Sequence, residues 1–168
     1  MSVTTDPNQH PHLERETGVY HIDITRSVAH VIVAAGEETK RAENVVAIFG
    51  CVARAGVPVF LAKLHGHEVS FAMEADRLAD VEGALTDAGH VYRTLRDLAI
   101  VTVHANTMRD LTGVLVRIAD ALQLAGSRMY GAGDSHSTVH CLIDGHRSDA
   151  ALLQLRHAFG VELSDAHA

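Results

Sequence analysis

The chain has 168 residues, of which 47% are hydrophobic and 21% charged, a composition typical of a globular protein with one large or two small domains. Its 21 acidic residues outnumber its 14 lysines and arginines and give a net charge of −7. This excess argues against nucleic acid as a partner, because phosphate binding needs a basic surface. The sequence has no apolar run of roughly 18 residues and no secretory signal, so we expect a cytoplasmic protein with no membrane partner.

The first 17 residues carry two prolines and no periodic apolar pattern. Such a segment buries too little apolar surface to offset the entropy lost on ordering. We therefore expect a mobile N-terminal tail over residues 1–17.

An internal repeat is the most informative feature of the sequence. The second half of the chain aligns with the first at a constant offset of 70 residues without a gap, and matched positions keep the same apolar spacing. The matched pairs include Val31 with Val101, Ile48 with Ile118, Gly56 with Gly126, Arg77 with Arg147 and Leu85 with Leu155. We therefore expect two copies of one structural unit.

The first copy is predicted to fold in the order strand, helix, strand, strand, helix. A β-branched segment leads into a helix whose apolar residues recur every three or four positions, and a hairpin and a second helix follow. The elements are a strand at 27–35, a helix at 44–55 that stops at Gly56, strands at 57–64 and 67–73, and a helix at 76–88. A further strand at 90–95 would complete a βαββαβ unit.

The second copy shows the same order. A strand at 97–105 precedes a helix that Gly126 ends and that Asp110 or Thr112 could cap. The residues expected on the buried face of this helix are Val114, Leu115, Ile118, Ala121, Leu122 and Ala125. A hairpin of strands at 127–133 and 136–143 and a helix at 146–159 complete the copy.

The second copy lacks a strong closing strand, because only the short segment GVELSD (160–165) follows its last helix. The segment GVYHIDI (18–24) precedes the first copy as an unassigned strand, and we predict that it completes the second sheet. The predicted fold class is α+β, with two ferredoxin-like βαββαβ domains in tandem and interleaved. Each has a four-stranded antiparallel sheet with helices on one face. The first domain spans 25–95, and the second spans 96–164 and is completed by strand 18–24.

Four stretches of the repeat carry a family resemblance. They are IFGCVARAGVPV (48–59), LAIVTVHANTMRDLTGVLVRIADAL (98–122), YGAGDSHSTVHCLI (130–143) and ALLQLRHAF (151–159). Together they resemble tandem ACT domains, and especially the C-terminal regulatory region of lysine-sensitive aspartokinases. The resemblance covers residues 18 to about 163. It implies a regulatory module that binds an amino-acid effector at the interface between ACT domains and transmits its occupancy to a kinase.

The resemblance implies an effector site at the loop after the first strand, the start of the first helix and the second strand. The residues at these positions are Glu37, Glu38, Thr39, Asn44, Val45, Val59, Phe60, Ala62 and Lys63. Backbone N–H groups at a helix start suit a carboxylate, and an acidic side chain suits an ammonium. Phe60 replaces the acidic residue of the lysine-sensitive enzymes. Glu37 or Glu38 then substitutes for it, or the site prefers an apolar side chain, or it binds no ligand.

The equivalent loop of the second copy supplies three further candidates, Asn106, Met108 and Arg109. The resemblance places them at structural and inter-domain contacts. Arg109 could hold a carboxylate through two hydrogen bonds, or it could pair with Asp110 or face solvent.

The 13 histidines raise the question of a metal site. The sequence offers only pairs of them, His65 with His67 and His10 with His12, whereas a metal site needs three or four convergent ligands. We therefore predict no metal site and no cofactor.

Other functions of the split β-α-β fold find little support in these residues. There is no C-x-x-C motif for metal transfer, no glycine-rich phosphate loop, and only 4% aromatic residues for RNA stacking. No catalytic constellation stands out, so we expect a non-enzyme. Its expected partners are an amino-acid effector, a second copy in a homodimer and a catalytic kinase subunit. The alternatives are a ligand-free interaction subunit and, with less support, a histidine-based metal-binding protein.

Overall fold

The computed structural model describes residues 18–106 and 113–161, which form six strands and four helices. The predicted tail, Asp110, Thr112 and most of the weak segment 160–165 lie outside these ranges. The strands are β1 (Val19–Ala34), β2 (Phe60–His65), β3 (Glu68–Glu74), β4 (Tyr92–Ala105), β5 (Met129–Asp134) and β6 (Thr138–Asp144). The helices are α1 (Arg41–Arg54), α2 (Leu78–Asp87), α3 (Val114–Leu124) and α4 (Ser148–Phe159). Within the described ranges, no helix is long and apolar enough to cross a membrane.

The repeat is visible in the strand register. Val28 pairs with Glu74 at the start of the β1–β3 ladder, and Leu98 pairs with Asp144 in the β4–β6 ladder, 70 residues further on. The glycines that follow α1 and α3, Gly56 and Gly126, both have φ +66°. The two halves of the chain therefore repeat the same backbone conformation in its details.

All strands join one antiparallel sheet in the order β2-β3-β1-β4-β6-β5. Residues 21–24 of β1 pair with residues 101–104 of β4, and residues 30–33 of β1 pair with residues 92–95 of β4. The N-terminal strand therefore completes the second unit, and the predicted interleaving is confirmed. The two four-stranded sheets share β1 and β4, each of which runs through both units, so they merge into one six-stranded sheet.

Each shared strand has a break near its middle. Ser27 of β1 and Asp97 of β4, which are equivalent in the repeat, both have φ +57°, and the β1–β4 register shifts between Thr25 and His30. Such irregularities bend a strand without ending it. The predicted boundaries between 18–24 and 27–35, and between 90–95 and 97–105, are therefore bends within continuous strands.

The buried residues form three apolar clusters. The first half packs α1 and α2 on its sheet through Ile48, Phe71 and Val81, all fully buried, and the second half packs α3 and α4 in the same way. A third cluster lies on the faces that carry no helix. It joins Ala72 of the first half to Leu142 of the second. The helix-free faces of the two halves thus pack against each other.

Two details of the predicted helices are wrong. Helix α1 begins at Arg41, three residues earlier than predicted, because a 3-10 turn at Glu38–Lys40 leads directly into it. Leu115 is 54% exposed, although the apolar spacing placed it inside. It lies beside the buried stripe that contains Val114 and Ile118 and points to solvent.

Replacing Ile22 by alanine should lower the free energy of unfolding by about 2–5 kcal/mol. Ile22 precedes the first copy, yet it is 1% exposed within the core of the second. The matched control is Leu64→Ala, at a strand position that is 55% exposed, where we expect a change within about 0.5 kcal/mol. Urea denaturation measures both, and equal losses would contradict the assignment of Ile22 to the second core.

Candidate functional site

The loop after β1 is held in a tight bend. Gly36 has φ +71°, and a Cβ at this position would lie 2.9 Å from Nδ2 of Asn44. That Nδ2 donates a hydrogen bond of 2.8 Å to the carbonyl oxygen of Ala35, and Nδ1 of His67 lies 3.1 Å from the carbonyl oxygen of Gly36. Asn44 therefore fixes the end of the strand to the start of α1.

The residues between this bend and α1 are open to solvent. Glu37, Glu38, Thr39 and Lys40 are all exposed, and the residue that precedes α1, Lys40, makes no side-chain capping hydrogen bond. The N–H groups of Lys40 and Arg41 already donate to the carbonyl oxygens of Glu37 and Glu38, so the N–H groups left for a ligand are those at the start of the 3-10 turn that leads into α1. Such groups attract a carboxylate, and the neighbouring glutamates can attract an ammonium. The two ends of an α-amino acid thus have complementary groups at this corner.

The remaining predicted residues of the first copy divide between the two faces of the sheet. Val45 and Val59 pack against the helix-side core, and Ala62 is exposed. Phe60 packs into the cluster between the two halves, and Lys63 donates a hydrogen bond from Nζ to the carbonyl oxygen of Ala132 in the second half. Phe60 and Lys63 therefore face the interior between the halves and not the open loop.

Only one of the three candidates from the second copy can be placed. Asn106 is exposed at the end of β4. Met108 and Arg109 lie outside the described residues.

A cavity of about 270 Å³ lies between the helix-free faces. Its lining includes Lys63, His30, Ser70, Arg93 and Tyr130, so both halves contribute to it. The lining brings the cationic side chains of Lys63 and Arg93 together with the carboxylate of Glu68, beside apolar strand residues.

His30 has an unusual environment within this cavity. Its Nδ1 is buried and has no hydrogen-bond partner among the described residues. Burial, and then the positive charges of Arg93 and Lys63, lower the pKa of His30 below the ordinary 6.5. This lowered pKa favours the neutral imidazole.

Hydrogen bonds fix the rest of the lining. Arg93 donates two hydrogen bonds of 3.1 Å to the carboxylate of Glu68. The hydroxyl of Tyr130 donates a 2.7 Å hydrogen bond to Oδ1 of Asp144, which raises the pKa of Tyr130. A backbone hydrogen bond from Arg128 is the main reason that the pKa of Asp144 is lowered. These pairs keep the walls of the cavity in place.

Sequence reasoning did not identify this cavity. One signal was present, because His30 interrupts the apolar run of residues 28–35, and its equivalent in the second copy is Ile100. Because His30 and Ile100 are equivalent in the repeat, a polar side chain at only one of these two positions indicates a structural feature that only the first unit has. Its partners could not be identified, because they depend on how the two halves pack.

The fold corresponds to one known architecture. Two βαββαβ units of the ferredoxin-like type, interleaved through shared strands and repeated in tandem, form the arrangement of tandem ACT domains. The bend at Gly36 and the start of α1 occupy the corner at which the resemblance placed an effector.

Solved structures show which proteins share this fold. The regulatory subunit of aspartate kinase from Thermus thermophilus, in its ligand-free form, matches with a TM-score of 0.73 and 17% identity, over 84% of this chain and 99% of that chain. A structure of aspartokinase alpha and beta subunits matches with a TM-score of 0.76 and 21% identity, over 86% of this chain and 100% of that chain. The aspartate kinase of Clostridium acetobutylicum matches with a TM-score of 0.76 and 16% identity, over 89% of this chain but 36% of that chain.

These similarities confirm, at the level of the fold, the resemblance to aspartokinase regulatory regions. No family model matches the sequence, and no curated protein matches it.

Replacing His30 by glutamine should make stability less sensitive to acid. The folded state lowers the pKa of His30, so the imidazole stabilises the fold above its unfolded pKa of 6.5, and this contribution is lost as the pH falls through the folded pKa. Between about pH 7.5 and about pH 5.5, the unfolding free energy should therefore fall further in the wild type than in His30→Gln. Urea denaturation at each pH measures this difference. His136→Gln, at an exposed histidine, is the control and should behave as the wild type does. Parallel pH profiles for wild type and His30→Gln would contradict the prediction.

Proposed function

We propose that this protein is a regulatory module that binds an amino-acid effector between ACT units and thereby regulates an amino-acid biosynthetic enzyme such as aspartokinase. The observation that carries the proposal is the exposed start of the 3-10 turn that leads into α1, beside the Gly36 bend, in a fold shared with aspartate kinase regulatory subunits. The fold alone hosts many functions, so the proposal depends on this corner.

The effector carboxylate accepts hydrogen bonds from N–H groups at the start of the 3-10 turn (Glu38–Lys40) that leads into α1, and its ammonium faces Glu37 or Glu38. Asn44 positions this site, because its amide already bonds the carbonyl of Ala35. Thr39 and Ala62 are exposed near the loop and the hairpin and complete the first wall. Val45 and Val59 support it from the core.

A second ACT unit supplies the opposite wall. In a homodimer, the loop of another unit, with Asn106, Met108 and Arg109, comes near the effector and can pair with its carboxylate. The domain division at 25–95 and 96–164, with 18–24 in the second unit, is part of this proposal. Effector binding then favours one arrangement of units over another, and a bound kinase subunit responds to that shift.

One observation favours the alternative of an interaction subunit without a ligand. Phe60 occupies the position that is acidic in lysine-sensitive aspartokinases, and it packs into the cluster between the halves. Phe60 carries no charge and lies away from the loop, so it cannot pair with the ammonium of an effector. If the glutamates do not substitute for it, the module serves assembly alone.

Thermal unfolding in the presence of each of the twenty amino acids tests the proposal. An effector at 100 times its dissociation constant should stabilise the fold by about 2.7 kcal/mol, which raises the midpoint measurably. Glu37→Gln combined with Glu38→Gln should weaken this shift, because the ammonium loses its counter-charge. Asp120→Asn, at an exposed carboxylate on α3, is the control and should keep the full shift. A screen in which no amino acid raises the midpoint would refute the sensing function and leave the interaction subunit.

A further inference from the structure

Three metal-ligand side chains meet on the helix-free face of the second unit. His21 and Asp23 are two residues apart on β1, so their side chains leave the same face of the strand. His104 of β4 lies opposite His21 in the ladder. One ligand atom from each of the three residues lies within 4.8 Å of the other two.

The distances are close to those of a metal site. Oδ2 of Asp23 lies 2.7 Å from Nε2 of His104 and 3.7 Å from Nε2 of His21. Around a tetrahedral Zn²⁺ with bonds of about 2.0–2.1 Å, neighbouring ligand atoms are about 3.3 Å apart. Both distances from Oδ2 of Asp23 therefore differ from this spacing by about half an ångström, a shift that rotation of exposed side chains can supply.

We propose that His21, Asp23 and His104 bind a divalent transition metal of the zinc type. Imidazole nitrogen favours Zn²⁺ and its neighbours in the transition series over Ca²⁺ and Mg²⁺, which prefer oxygen ligands. Two imidazoles and one carboxylate leave at least one coordination position for water. The side chains are 49%, 44% and 25% exposed, respectively, so an ion reaches them from solvent.

The sheet prepares this site in advance. The β1–β4 ladder fixes the spacing of His21 and His104, and Ile22, buried in the second core, anchors the strand between His21 and Asp23. The next histidine on this face, His140, is already engaged: it hydrogen-bonds the hydroxyls of Thr102 and Thr138. The cluster therefore consists of three ligands, and they come from two strands.

Metal binding has a structural consequence at this position. The site joins the strand that precedes the first copy to a strand of the second copy, across 81 residues of sequence. Any ion that binds the folded ligands and not the unfolded chain stabilises the interleaved pairing. A higher metal concentration should therefore stabilise the pairing of β1 with β4 that completes the second unit.

Titration of the full-length protein with Co²⁺ and Zn²⁺ tests the proposal. Co²⁺ should give the visible absorption of a four- or five-coordinate site, and Zn²⁺ should displace it at one equivalent. His104→Ala, His21→Ala and Asp23→Asn should each weaken Zn²⁺ binding about tenfold or more in calorimetry, because a three-ligand site tolerates no lost ligand. Zn²⁺ should also raise the unfolding midpoint of the wild type and not that of Asp23→Asn, whose fold circular dichroism verifies.

The other histidines provide the controls. His65→Ala, on β2 of the first half, and His157→Ala, on α4 over the other face of the sheet, change exposed histidines away from the site and should leave Zn²⁺ affinity and the Co²⁺ spectrum as in the wild type. Two results would overturn the proposal. One is unchanged Zn²⁺ affinity in Asp23→Asn and His104→Ala, which would place binding elsewhere. The other is a wild type that takes up neither ion, which would leave the three residues as an ion pair only.

Discussion

The antiparallel pairing of β1 with β4 is the interaction on which the rest of the structure depends. These two strands lie side by side at the centre of the sheet, and each belongs to both repeated units. One end of their ladder completes the first unit, with β3 and β2 beyond β1. The other end completes the second unit, with β6 and β5 beyond β4. Neither unit has four strands without the segment that the other contributes, so the units must fold together.

The bends at Ser27 and Asp97 turn this shared ladder into a joint between two halves. Because both residues have a left-handed conformation, each strand changes direction without losing its partner. The helix-free faces then meet, and Lys63 reaches Ala132 across the gap. The cavity around His30 forms at this junction. The loop at Gly36 remains on the outside, where a second unit can approach it. An interior cavity and an exposed loop thus arise from one bend.

Much of the fold could be predicted from the sequence, because a repeat constrains two copies at once. The fixed offset gave the order of elements in both units, and the missing closing strand of the second unit pointed to residues 18–24. The continuity of β1 and β4 could not be predicted in the same way. Ser27 and Asp97 are polar and resemble turn residues, whereas in the folded chain they are bulges that long-range pairing holds in place.

The candidate sites were predicted less well than the fold, for a physical reason. The loop at Gly36 is local in sequence, so its residues could be proposed as a site from the sequence alone. The His30 cavity and the His21–Asp23–His104 cluster depend on residues that only tertiary pairing brings together. No spacing motif marks either of them. Lys63 illustrates the difference, because its strand was predicted correctly while the direction of its side chain depends on the packing of the two halves.

Cooperativity of unfolding tests the shared ladder most directly. The chain contains no tryptophan, so Phe49→Trp and Phe159→Trp each place a single fluorescent reporter, one against the first helical core and one against the second. If β1 and β4 bind the units into one cooperative structure, each variant should show a urea transition by fluorescence that coincides with its own transition by far-ultraviolet circular dichroism. The contrary result is a variant whose fluorescence transition has a clearly different urea midpoint from its circular dichroism transition. That result would show that the halves unfold independently, and it would contradict this account.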